Sequence, residues 1–159
     1  MKYSERETWS ELALRERCKR VAAVASVIAQ DGDQWARSCQ SPWRVDPLET
    51  ISGEMLPLCA ALKYIGREGP RVLKTRRLGW RGRPVWLWGI RSRVRRDPHG
   101  TVLVLGTWNY PLLLSGAQIG QALAAGNEVL FKPAEGCEGV SKRLVEAFHR
   151  CGIPPSSLR

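Results

Sequence analysis

The sequence predicts an α/β fold in which N-terminal helices lead into a β-hairpin and then a βαβα unit. Three observations carry that prediction. Apolar residues recur at helical spacing through about residue 65, and a segment with alternating arginines follows. Two short unbroken apolar runs, each closed by a turn and followed by a helical stripe, then occupy the last third. At 159 residues the chain is long enough for one modest domain with its own core.

Leu14, Cys18, Val21, Ala25 and Ile28 step by four and three, which is one face of an amphipathic helix. Asp31-Gly32-Asp33 is expected to stop it. Ile51, Met55, Leu58, Leu62 and Ile65 repeat the rhythm, and that helix is expected to end near Gly66 and Gly69-Pro70. Glu54 is read as solvated on the polar side of this stripe. Pro84 to Trp88 and Arg91 to Arg96, separated around Gly89, read as a half-exposed strand pair, because Arg91, Arg93 and Arg95 alternate with Ser92, Val94 and Arg96.

Asp97-Pro98-His99-Gly100 reads as a turn. Val102 to Leu105 is apolar throughout, as in a strand buried on both faces of a parallel sheet. Gly106 to Pro111 is a loop whose proline suits a first helical turn. A helix through Leu113, Ile119, Leu123 and Ala124 is expected to stop at Gly126-Asn127. Val129 to Phe131 is a second strand, closed by Lys132-Pro133. A last helix, from about Gly139 to Cys151, turns Val140, Leu144, Val145 and Phe148 inward. The expected organisation is a helical part over 1–70, a basic hairpin over 71–97 and the βαβα unit over 98–159, all in one incomplete domain.

The net charge of +10 has a local origin. Ten basic residues and no acidic one lie between Arg71 and Arg96, leaving 15 basic and 15 acidic residues elsewhere. No apolar run reaches the ~18 residues of a membrane span. Met1 to Trp9 has no apolar core of a secretory signal, so a cytoplasmic protein with no membrane partner is expected. The five cysteines form no CxxC pair, which argues for free thiols and against a zinc site. His99 and His149 have no apparent acid–base partner and read as structural or solvated.

In doubly wound sheets, ligands bind beyond the carboxyl ends of the strands. Two polar groups fall there: Thr107-Trp108-Asn109-Tyr110 after the first strand and Lys132-Pro133-Ala134-Glu135 after the second. Glu135 is placed to accept hydrogen bonds from ribose hydroxyls, and Lys132 to donate one. The first turn has no GxGxxG, so a pyrophosphate is not held there in the usual way. Position alone leaves both surface punctuation and nucleotide contact open.

The stretch from Gly100 to Leu112, then Ala122 to Asn127, then Phe131 to Glu135, and the closing Gly152-Ile-Pro-Pro155, together resemble the aldehyde dehydrogenase superfamily in order and spacing. Glu54 to Tyr64 and Pro84 to Pro98 are similar to its shorter, dimer-forming branch. The resemblance implies a partial Rossmann-like unit, from the N-terminal part of the cofactor-binding domain and truncated before the catalytic domain.

It further implies an NAD or NADP half-site, with Lys132 and Glu135 on the adenosine ribose and Leu105, Gly106, Thr107 and Trp108 lining the cofactor cleft. Asn109 matches the family's oxyanion donor, a role suited to a neutral amide N–H. The family usually has proline where Thr107 stands, so this turn lacks that backbone constraint. The complete enzyme would oxidise an aldehyde to a carboxylic acid. The catalytic cysteine and the general-base glutamate are expected outside this chain, with Cys137 at the wrong end of the cofactor to replace the former.

The hairpin corresponds to an oligomerisation arm, and its Trp80, Trp86 and Trp88 fit a face buried in a partner. The expected partners are a second copy or a complementing C-terminal part, and the chain alone is expected to be inactive. A non-catalytic remnant that binds a dinucleotide or a full-length relative is the alternative. Nucleic-acid binding through Arg71 to Arg96 is kept behind both, because the same segment aligns with the arm.

Overall fold

The structure, a computed structural model, describes residues 8–41, 45–79 and 81–159. The reading of residues 1–7, and that of Trp80, lie outside the described residues. Helix α1 (Leu14–Ala29) buries Cys18, Val21, Ala25 and Ile28 of the predicted stripe and Val24 besides, while Leu14 at its start is half-buried. It ends before Asp31-Gly32, and a short α2 (Gly32–Ser38) follows. The single turn α3 (Pro47–Thr50) is capped by Asp46, whose carboxylate accepts from the Leu48 N–H at 2.8 Å. A π-helical turn (Ile51–Met55) then leads into α4 (Leu56–Leu73).

Helix α4 does not stop at Gly66 or Gly69-Pro70 but runs on to Leu73. A Cβ on Gly66 would lie 2.5 Å from the Ala22 Cβ, and one on Gly69 would lie 2.8 Å from the Cys18 Sγ. The glycines are therefore contact points that let α4 lie close against α1. Their role is packing rather than termination.

The hairpin also differs from expectation. Strand β1 (Arg76–Leu78) pairs antiparallel with β2 (Ser92–Val94). The stretch expected to be the first strand holds a 3₁₀ turn at Val85–Leu87. Pro84 supplies the carbonyl that accepts the Leu87 N–H at 2.9 Å, so this stretch curls instead of extending. The two strands contact each other far more than they contact the body of the protein.

Strands β3 (Thr101–Leu105) and β4 (Glu128–Lys132) pair in parallel, with Leu105 opposite Lys132, and are joined through α5 (Leu113–Ala124). Helix α6 (Glu138–Arg150) turns Val140, Leu144 and Phe148 into the core. Gly126, at φ +94°, ends the α5 turn, and Asn127 ties that end to the strand entry by accepting the His99 N–H at 2.6 Å. The last residues extend the sheet beyond β4: Val129 N–H donates to the Ser157 carbonyl at 2.8 Å, and Phe131 N–H to the Arg159 carbonyl at 2.7 Å.

Burial of β3 on both faces is corrected. Only Val104 is fully buried, while Leu103 is 57% exposed and Leu105 60% exposed. Leu130 of β4 is exposed on the same side. Helices cover one face of the parallel pair, and among the described residues nothing covers the other. An apolar run reports that both faces suit apolar surroundings, not that both are covered within the chain.

Candidate cofactor and catalytic cleft

The loop after β3 is set by backbone contacts. Gly106 N–H donates to the Lys132 carbonyl at 2.8 Å, pinning the loop to the end of β4. A Cβ on Gly106 would sit 3.1 Å from the Ala134 nitrogen and 3.2 Å from the Phe131 ring, so any side chain would press on the neighbouring turn. Thr107 donates its hydroxyl to the Tyr110 carbonyl at 3.3 Å, closing the Thr107-Trp108-Asn109-Tyr110 turn on itself. A threonine in place of proline thus brings its own side-chain constraint.

Beyond that turn, Pro111 and Leu112 are buried and α5 begins. Leu112 has no capping side chain of its own. The cap comes from Glu54, whose Oε2 accepts the N–H groups of Leu112 at 2.7 Å and Leu113 at 3.0 Å. Glu54 is fully buried, which corrects its reading as a solvated residue. Burial of a carboxylate is tolerated because charge-assisted bonds and the positive end of a helix surround it. Its spacing held a signal: Glu54 lies three residues after Ile51 and four before Leu58, inside the buried stripe.

A cleft of about 230 Å³ opens beside this turn, at the carboxyl ends of β3 and β4. Trp108, Asn109, Tyr110 and Pro111 form one wall, and Gly136, Cys137 and Val140 form the second. The third comes from the end of α2, Ser38 to Ser41, together with Glu49. Arg143 of α6 holds α2 in place: it donates to the Gln34 amide oxygen at 2.7 Å, pairs with Asp31 and lies 4.9 Å over the Trp35 ring. Sequence reasoning missed this wall, because nothing local in Ser38 to Ser41 marks a site.

Of the expected site residues, Trp108 and Asn109 line the cleft, with Trp108 72% exposed. Leu105, Gly106, Thr107, Lys132 and Glu135 do not line it. They sit along the same carboxyl edge of the sheet, where Lys132 and Glu135 are exposed. The Lys132 ammonium reaches only the neighbouring Pro133 carbonyl, at a long 3.5 Å.

Cys137, at the cap of α6, lines the same cleft as Asn109. None of the five cysteines forms a disulfide. Burial pushes the Cys18, Cys59 and Cys151 thiols up, which disfavours their thiolates. His149 Nδ1 lies 2.8 Å from the Ile153 carbonyl, closing the turn after α6.

The sequence matches the aldehyde dehydrogenase family across residues 3–159. The chain belongs to that family. It is 32% identical over 146 residues to the 4,4'-diapolycopene aldehyde oxidase of a Methylomonas species, covering 92% of this chain and 27% of that protein. It is 48% identical over 71 residues to an N-succinylglutamate 5-semialdehyde dehydrogenase of Sphingopyxis alaskensis, covering 45% of this chain and 15% of that protein. Among solved structures, the succinic semialdehyde dehydrogenase of Streptococcus pyogenes in complex with NADP+ has the same fold over 91% of this chain and 30% of its own, at TM-score 0.79 and 19% identity. PnpE in complex with nicotinamide adenine dinucleotide superposes over 94% of this chain and 29% of its own, at TM-score 0.80 and 24% identity. This aldehyde dehydrogenase chain therefore spans about 30% or less of the length of the relatives it matches.

Proposed function

We propose that this chain supplies the adenosine end of the cofactor site and the oxyanion donor of an NAD(P)-dependent aldehyde dehydrogenase that converts an aldehyde to a carboxylic acid. The observation that carries the reading is the placement of Asn109 in a cleft at the carboxyl edge of β3 and β4, with Lys132 and Glu135 on that edge. Ligands of doubly wound sheets bind at such an edge.

The side chains fit a dinucleotide in their chemistry. An ammonium and a carboxylate, both facing solvent after one strand, can donate to and accept from ribose oxygens. Leu105 to Trp108 contribute the opposing surface. The bound nicotinamide would supply the hydride acceptor. Asn109 Nδ2 would donate to the oxyanion that develops when a thiolate adds to the aldehyde carbon, an interaction that strengthens as charge builds. The thiolate and the general base are assigned to residues outside these 159. The dinucleotides bound in the two structural neighbours support the reading.

Leu103, Leu105 and Leu130 form an exposed apolar face that fits a complementing protein surface. Their exposure also favours a second reading, in which the chain works as a non-catalytic binding piece. Titration of the purified chain with NADH and NADPH, followed by nicotinamide fluorescence, tests the cofactor reading: saturable binding is expected, and its absence would contradict it. Aldehyde and NAD(P)+ added to the chain alone should give no NAD(P)H. Measurable turnover would overturn the placing of the nucleophile elsewhere.

A further inference from the structure

Arg67, Arg71 and Lys74 follow one another by four and three residues, so three cations stand on one stripe of α4 and its C-terminal cap. Helix α1 lies close beside that stripe. Gly66 meets Ala22 and Gly69 meets Cys18, so the two helices run in opposite directions and the start of α1 reaches the end of α4. Arg15 arrives there from α1. The four side chains line a cavity of about 710 Å³, with Leu14 and Pro70 in its apolar wall. None of them belongs to the hairpin strands.

These charges are not neutralised where they meet. Among the described residues one carboxylate touches them, and it is shared: Glu68 lies 2.8 Å from Arg71 and 3.3 Å from Arg67. Like charges one helical turn apart repel. The negative end of the α4 dipole accounts for Arg71 and Lys74. It does not account for Arg67, which stands more than a turn before the helix end. Nor does it account for Arg15, in the first turn of α1, where the dipole disfavours a cation. An anion in the cavity offsets the repulsion at both positions.

We propose that this cavity binds a small multivalent phosphate, a free di- or triphosphate group, held between Arg15 of α1 and the Arg67, Arg71 and Lys74 stripe of α4. Three guanidinium forks and an ammonium offer donors to many oxygens at once, whereas a carboxylate brings two oxygens and a single charge. No aromatic ring lines the cavity among the described residues, so it gives stacked bases no platform and does not favour a single-stranded nucleic acid. Its lining shares no residue with the cleft that holds Asn109. The proposal is independent of the cofactor reading.

The test is calorimetric titration of the full 159-residue chain with inorganic pyrophosphate. Saturable binding is expected in dilute buffer, and about 0.5 M salt should weaken it strongly. Arg15→Gln and Arg67→Gln, one on each helix, should each weaken binding about fivefold, the upper end for an exposed ion pair. Arg93→Gln removes the same charge from the hairpin and should bind like wild type. Lys132→Gln reports whether pyrophosphate has gone to the cofactor edge instead. Arg15 and Arg67 are exposed, and unchanged circular dichroism reports an intact fold in their variants.

Absence of saturable binding would overturn the proposal. So would equal weakening by Arg93→Gln and Arg15→Gln, which would reduce the effect to net charge. A loss confined to Lys132→Gln would move the anion to the edge of β4. Co-sedimentation with phosphatidic acid vesicles, by a chain that ignores soluble pyrophosphate, would assign the phosphate to a membrane and reject a free one.

Discussion

Glu54 Oε2 lies 2.7 Å from the backbone nitrogen of Leu112, 58 residues away in the chain, and fixes the start of α5 where the Asn109 turn ends. The bond joins the π-helical turn before α4 to the loop that carries the proposed oxyanion donor. Neither partner is exposed. The carboxylate takes the place of a local capping residue.

Replacing that carboxylate should therefore be expensive. Glu54→Ala leaves the buried Leu112 N–H and the half-buried Leu113 N–H without this acceptor and should cost about 2–4 kcal/mol of stability in urea denaturation. Glu54→Gln keeps one acceptor oxygen and should lose less. Equal losses in the two variants would mean that packing, not the hydrogen bonds, sets the cost.

The contact between Gly66 and Ala22 gives a second prediction. Gly66→Ala adds a methyl 2.5 Å from the Ala22 Cβ, and both groups are fixed to helix backbones. The expected loss is about 1–3 kcal/mol despite alanine's better helix propensity. Ala22→Gly in the same chain should restore part of it, a coupling that a double-mutant cycle measures. Full additivity would show that the two helices do not meet there.

Much of this was legible in the sequence, and the exceptions have physical causes. The stripe from Leu14 to Ile28 became a helix because its periodicity reports one buried face, and the Val102 and Val129 runs became strands although only one of their faces is buried. Of the residues that the motifs singled out, Trp108 and Asn109 line the cleft, while Leu105, Gly106, Thr107, Lys132 and Glu135 do not. Gly66 and Gly69 misled because glycine marks both helix ends and helix contacts, and only the neighbouring helix distinguishes these. Pro84 to Trp88 has strand-like residues, yet it turns, because its tryptophans find no sheet to pack against. The wall from Ser38 to Ser41 and the cap from Glu54 depend on contacts distant in sequence. No local pattern encodes those contacts, although Glu54's place inside the stripe from Ile51 to Leu58 signalled its burial.

Thiol burial gives a pH dependence. Cys18, Cys59 and Cys151 are held above the ordinary thiol value of 9.0 by burial, so in the folded chain they keep their protons to higher pH than in the unfolded chain. Their contribution to stability is complete below the unfolded thiol value and is lost as pH rises through the folded values. Denaturation midpoints should fall above pH 9, and substituting Cys18, Cys59 and Cys151 by alanine together should flatten that decline. A triple variant with an unchanged alkaline slope would remove the thiols as its cause.

The central claim is that the edge of β4 holds the ribose of a dinucleotide, and calorimetric titration of NADH into wild type, Lys132→Ala and Glu135→Ala tests it most directly. Each variant loses a charged group's hydrogen bond and should bind at least about tenfold more weakly, the lower part of the range for such bonds. Both side chains are exposed and leave the fold alone. Wild-type affinity in both variants would contradict the assignment and move the cofactor away from this edge.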